Sequence, residues 1–166
     1  MGKMWDLEKC KDNVALIDEF GEKMTYGQLN ANATVLAETI GHRCLVFCLC
    51  RSEIGSVIGY TAFINNAIVP VMLNSHLDEG LLQNLLNTYS PEYLWLPKKQ
   101  AEQFSEMNVE HEAYDYVLLK TGYEKKYPLY EELGLLMTSS GSTGSPKFIR
   151  QSYANLLANT QSIVEY

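Results

Sequence analysis

Apolar residues recur along this chain with two alternating periods. Leu29, Ala33, Leu36, Ala37 and Ile40 keep the three-to-four spacing of an amphipathic helix. Thr25 and Gln28 stand in the S/T-x-x-E/Q relation of a capping box, so this helix begins at Tyr26, and Gly41 ends it. A second helix is predicted over about 52–65, with Ser52 as its cap, and a third over 78–89, carrying Leu81, Leu82, Leu85 and Leu86 and stopped by Ser90-Pro91. A fourth follows Ser152 and runs over 153–166, and a short one fits within 97–107. Between the helices lie apolar runs of strand length, at 44–50, 68–73, 93–96, 114–120 and 135–139. Residues 14–17 and 22–25 flank Phe20-Gly21 as a hairpin, and 121–134 reads as a surface connection. Continuous apolar strands alternating with helices predict an α/β fold: a layered, mainly parallel sheet flanked by helices, with a short N-terminal β-hairpin.

One stretch fits neither period. Ser139-Ser140-Gly141-Ser142-Thr143-Gly144-Ser145-Pro146-Lys147 opens with six small residues, each glycine or hydroxyl-bearing, and ends in a cation. Such a run packs no core. Its amides and hydroxyls can converge on an anion, since glycine lets the backbone approach closely, and Lys147 adds a point charge for a terminal phosphate. It follows a strand, and open α/β sheets bind ligands at strand ends. Two residues separate Gly144 from Lys147, so the Walker spacing G-x-x-x-x-G-K-[ST] fails, as does G-x-G-x-x-G. The residues after it, 147–150, read as a strand rather than a helix. A flexible Gly/Ser linker is the alternative reading of the same composition.

Residues 139–147 match every fixed position of [TS]-S-G-[TS]-T-G-x-P-K, and here the chain resembles the adenylate-forming superfamily of acyl-CoA synthetases, peptide-synthetase adenylation domains and D-alanine carrier-protein ligases. Met24-Thr25-Tyr26-Gly27-Gln28-Leu29 is similar to the TY-x-x-L that opens that family's first helix. Phe63-Ile64-Asn65-Asn66-Ala67-Ile68-Val69-Pro70-Val71 is similar to its A-G-A-x-x-V-P-L segment, with Asn66 at the glycine position, a residue that tolerates positive φ. After the loop Phe148 replaces a glycine and Tyr153 a histidine, while Asn155 is retained.

The resemblance implies a two-step ligase. A carboxylic acid and ATP give an acyl-adenylate and pyrophosphate, and a thiol, coenzyme A or a carrier protein, then takes the acyl group. It implies that Ser139, Ser140, Gly141, Ser142, Thr143, Gly144 and Lys147 hold the β- and γ-phosphates, with Lys147 as the catalytic cation and Mg2+ neutralising the remaining charge. The family's adenine, ribose and hinge elements and its C-terminal lysine lie downstream of such a loop. Residues 1–166 are therefore expected to form a single N-terminal α/β subdomain of a larger enzyme, incompetent alone. A truncated, non-catalytic module that keeps the loop is the alternative.

Composition changes this picture little. A hydrophobic share of 46% and a charged share of 20% fit a folded domain, and a net charge of −7 argues against nucleic acid or an anionic membrane as partner. No apolar run approaches the ~20 residues of a membrane span, and the N-terminus lacks a signal-peptide core, which together point to the cytoplasm. Cys44, Cys48 and Cys50 fall on one face of their strand and read as buried free thiols, with no metal expected because the spacing to His42 matches no zinc pattern.

Overall fold

The computed structural model describes residues 4–123, 127–138 and 147–165. A hairpin of β1 (Val14–Ile17) and β2 (Lys23–Thr25) leads into α1 (Tyr26–Ile40). The main sheet is built from β3 (Leu45–Cys50), β4 (Val69–Asn74), β5 (Tyr93–Pro97), β6 (Asn108–Ala113), β7 (Tyr116–Lys120), β8 (Leu133–Thr138) and β9 (Phe148–Ser152). The helices are α2 (Ile54–Asn65), α3 (Glu79–Tyr89), the short α4 (Lys98–Ala101) and α5 (Tyr153–Val164). The strand order is β6-β7-β5-β3-β4-β8-β9. The four central strands β5, β3, β4 and β8 run parallel, and antiparallel neighbours extend the sheet at both edges.

Alternation along β3 sends its residues to two cores. Val46 and Cys48 face α1 and α2 together with Trp95, Tyr116 and Leu118. Leu45, Phe47 and Leu49 face α3, packing with Val69, Val71, Leu82, Leu85 and Leu86. The connection β3–α2–β4 thus crosses one face of the sheet and β4–α3–β5 the other, which keeps both crossovers in the same hand although they run in opposite directions along the sheet. Chain ends leaving β3 and β4 in opposite directions open a crevice between their carboxyl termini, the topological switch point at which open α/β sheets bind ligands.

The caps are chemically explicit. Thr25 Oγ1 accepts from the Gln28 amide at 3.2 Å while Gln28 Oε1 accepts from the Thr25 amide at 2.8 Å, and Gly41 closes α1 in the left-handed region. Asp78 and Ser152 cap α3 and α5 through their side chains.

Several boundaries differ from the sequence expectation. Glu53, not Ser52, is the N-cap of α2, because the Arg51 amide is taken by Ser56 Oγ at 2.9 Å and Tyr116 Oη at 3.1 Å and the chain turns a residue later. Strand β8 starts at Leu133, inside the predicted connection. Asn66 has φ −122°, and the left-handed residue is Ala67 at φ 57°, its carbonyl held by Arg43 Nη1 at 2.6 Å. Strand β7 begins at Tyr116, since Tyr114 is itself left-handed at φ 55° and turns the chain out of β6. Among the described residues, no helix is long and apolar enough to cross a membrane.

Candidate functional site

Strand β8 pairs in parallel with β4, Val71 opposite Leu136 and Met72 opposite Met137. It therefore ends at the same carboxyl edge of the sheet as β3 and β4. Strand β9 returns antiparallel, with Phe148 opposite Thr138. Residues 139–147 thus connect the carboxyl end of β8 to its antiparallel neighbour β9. Ser139, Ser140, Gly141, Ser142, Thr143 and Gly144 lie outside the described residues. Lys147 is described: it is exposed and adjoins the Thr138–Phe148 pair, which puts its charge at the foot of the loop. The return into a strand agrees with the failed Walker spacing, since a Walker loop opens a helix.

Beside this hairpin, the switch point is an open cleft of about 990 Å³. Its floor is Cys50, Met72 and Leu73, and its rim carries Asp18, Glu53, Asp115, Arg51 and His76, with Phe20 and Tyr114 as aromatic walls. Arg51 Nη1 meets Glu53 Oε1 at 3.5 Å. The neighbouring Asp115 carboxyl, through a hydrogen bond and its charge, pushes the Glu53 carboxyl above its usual value. Ser75 Oγ is buried at the cleft without a partner among the described residues. The rim carries more carboxylates than cations, which disfavours a highly charged anion in the cleft itself.

Behind the cleft, Tyr116 ties the machinery together. Its hydroxyl lies 2.6 Å from Ser56 Oγ, donates to the Leu49 carbonyl at 2.9 Å and accepts from the Arg51 amide. Burial holds its phenol well above the ordinary value. The end of β3 and the start of α2 are thereby locked as one piece.

The cysteines divide by depth. Cys44 and Cys48 are buried, Cys50 is half-buried at the cleft floor, and Cys10 is exposed. Cys48 and Cys50 place their sulfurs 3.7 Å apart. The hydrogen-bonding contact between the two sulfurs lowers the pKa of Cys50, and the same contact, with burial, raises that of Cys48. Burial pushes the Cys44 thiol up to about 12. Iodoacetamide at neutral pH is therefore expected to label Cys10 and Cys50 in the folded protein, with Cys44 and Cys48 labelled only after unfolding. Peptide mass spectrometry reads the outcome, and labelling of Cys48 before Cys50 would reverse the assignment.

The sequence model of the AMP-binding enzyme family matches residues 4–166. The chain belongs to the AMP-binding enzyme family. No curated protein sequence matches it significantly. Similar solved structures include apo MatB from Rhodopseudomonas palustris, with a TM-score of 0.70, 17% identity and coverage of 94% of this chain and 34% of that one. The O-succinylbenzoate coenzyme A synthetase MenE from Bacillus subtilis, in complex with AMP, gives a TM-score of 0.62 and 22% identity over 91% of this chain and 42% of its own. The fatty acyl-adenylate ligase from L. pneumophila, in complex with acyl adenylate and pyrophosphate, gives 0.66 and 20% over 90% and 29%. The likeness is one of fold, and the fold is that of the N-terminal subdomain of adenylate-forming enzymes. The chain spans well under half the length of these three structures.

Proposed function

We propose that this chain supplies the triphosphate-gripping part of an ATP-dependent ligase that activates a carboxylic acid. The observation that carries the reading is the complete [TS]-S-G-[TS]-T-G-x-P-K run of residues 139–147, which follows the carboxyl end of a strand parallel to the central ones. In the reaction a carboxylate oxygen attacks the α-phosphorus of ATP, the bond from that phosphorus to the pyrophosphate oxygen breaks, and acyl-adenylate and pyrophosphate form. Two anions must meet while charge gathers on the leaving group, so fixed donors and a cation are the catalytic requirement. Ser139, Ser140, Gly141, Ser142, Thr143 and Gly144 provide the donors and Lys147 the cation.

Mg2+ would accompany the triphosphate and share its charge. Thr138 and Lys147, the described residues at the foot of the loop, offer no carboxylate to hold that ion. The acyl group passes in turn to a thiol, of coenzyme A or of a carrier protein. Cytoplasmic residence fits a chain that leaves its four cysteines unpaired.

In an enzyme that carries this chain together with the downstream subdomains, the expected nucleotide product across a panel of carboxylic acids is AMP with pyrophosphate. Chromatography of the nucleotides tests it. ADP as the product would remove the adenylation reading, and pyrophosphate binding without any nucleotide turnover would favour a non-catalytic module that retains the loop.

A further inference from the structure

The opposite edge of the sheet carries a second group of reactive side chains. His42 and Cys44 precede β3, and Glu92 precedes the neighbouring parallel strand β5, so the fold brings to one place residues fifty positions apart. His42 Nε2 and Glu92 Oε2 are 2.9 Å apart. These two atoms and Cys44 Sγ all lie within 4.8 Å of one another. We propose that His42, Cys44 and Glu92 form a binding site for one divalent ion of the zinc class, remote from the phosphate edge.

Three features make this a site rather than a chance meeting of side chains. First, the donors stand on fixed backbone: the Cys44 carbonyl accepts from the Val69 amide at 2.9 Å, and the Glu92 amide donates to the Leu45 carbonyl at 3.0 Å. Second, His42 Nδ1 lies 2.7 Å from the Ile40 carbonyl. A carbonyl can only accept, so Nδ1 carries the proton and Nε2 is the nitrogen turned toward Glu92 and Cys44; this is the outer-sphere arrangement that orients histidine ligands. Third, the donor set is imidazole, thiol and carboxylate, which suits zinc and its borderline neighbours and disfavours magnesium or calcium. Bond lengths of about 2.0–2.3 Å to such donors require the sulfur and the two lighter atoms to close by roughly 1 Å, within reach of side-chain rotation. Three protein ligands leave the fourth tetrahedral position for water.

The gap has a competing occupant. A proton on Nε2 would convert His42 and Glu92 into an imidazolium–carboxylate pair. Lys120, whose ammonium sits 5.5 Å from the centre of the Tyr93 ring, also faces Cys44 and opposes a second cation. Metal binding must displace that proton, and the Cys44 thiol must release its own to solvent as the sulfur–metal bond forms. What the sequence spacing leaves as a core thiol acquires, through the β3–β5 pairing, two partners that the spacing does not show.

Cobalt(II) titration of the chelator-treated protein tests the site. One equivalent is expected to give a thiolate-to-cobalt charge-transfer band that zinc abolishes and that raises the melting temperature as it forms. Cys44→Ser should remove the band. Glu92→Gln and His42→Asn, both at partly exposed positions that leave the core intact, should weaken cobalt binding by at least about tenfold while keeping the fold. Cys10→Ser and Cys50→Ser should leave it unchanged. Absence of a band in the wild-type protein, or a band lost with Cys50→Ser and kept with Glu92→Gln and His42→Asn, would overturn the assignment.

Discussion

Lys147→Ala is expected to slow exchange of labelled pyrophosphate into ATP by about 100-fold in an enzyme carrying this chain, while Ser145→Ala leaves the rate within a small factor. Lys147 is the loop's only charge, and the hairpin register fixes its place, next to Phe148, which pairs with Thr138, the last residue of β8. Charge-assisted hydrogen bonds are roughly twice as strong as neutral ones, and a preorganised donor to developing anionic charge typically contributes on the order of 3 kcal/mol. Ser145 fills the variable position of the signature and has no assigned phosphate contact, which makes it the internal control. Calorimetric titration of the 166-residue chain with pyrophosphate should show the same ranking in affinity, and a loss with added salt, since the lysine is exposed. Equal effects from the two substitutions would mean that residues 139–147 join two strands and grip nothing.

How far the sequence speaks depends on the kind of signal. Local chemistry is read well: the Thr25–Gln28 capping box, the left-handed Gly41 and the side-chain caps Asp78 and Ser152 each satisfy helix-end amides or carbonyls with residues a few positions away. Continuous apolar runs likewise mark β3, β4 and β5, which are covered on both faces. Strand β6 escapes because it is an edge: Asn108, Glu110 and Glu112 face solvent, and its pairing with β7 is a backbone matter that leaves no apolar alternation. The start of β8 hides behind Gly134, whose missing side chain admits Leu156 of α5. Residues 139–147 are legible as a motif, and strand β8, which leads into them, runs parallel to β4. The switch-point cleft and the meeting of Glu92 with His42 and Cys44 were not legible, since both depend on strand order, to which no local spacing responds.

The second large effect lies in the packing beneath that cleft. Gly59→Ala is expected to destabilise the protein by roughly 3 kcal/mol, the upper end of what overpacking a well-filled core costs, and so to lower the melting temperature by roughly 10 °C. Gly55 and Gly59 are one turn apart on α2, on the side that lies against β5 and β7. A Cβ at Gly59 would overlap the Trp95 indole, and one at Gly55 the Tyr116 ring. Neither ring can retreat cheaply. Both are fully buried, their centroids are 5.4 Å apart, and the indole Nε1 donates to the Gly55 carbonyl at 2.8 Å. In a solvated helix the same substitution would gain about 1 kcal/mol from helix propensity, so the sign of the result reports the close approach. Gly80, in the exposed first turn of α3, supplies that comparison: a Cβ there meets only the exposed cap oxygen of Asp78, at 3.2 Å, which need give way by a few tenths of an ångström at most, so Gly80→Ala should lie near neutral. Gly55→Ala and Gly59→Ala combined should cost less than their sum, because one displacement of the Trp95–Tyr116 pair would relieve both. Urea unfolding of the four variants decides the matter. A Gly59→Ala protein as stable as the Gly80→Ala protein would show that α2 does not rest on Trp95.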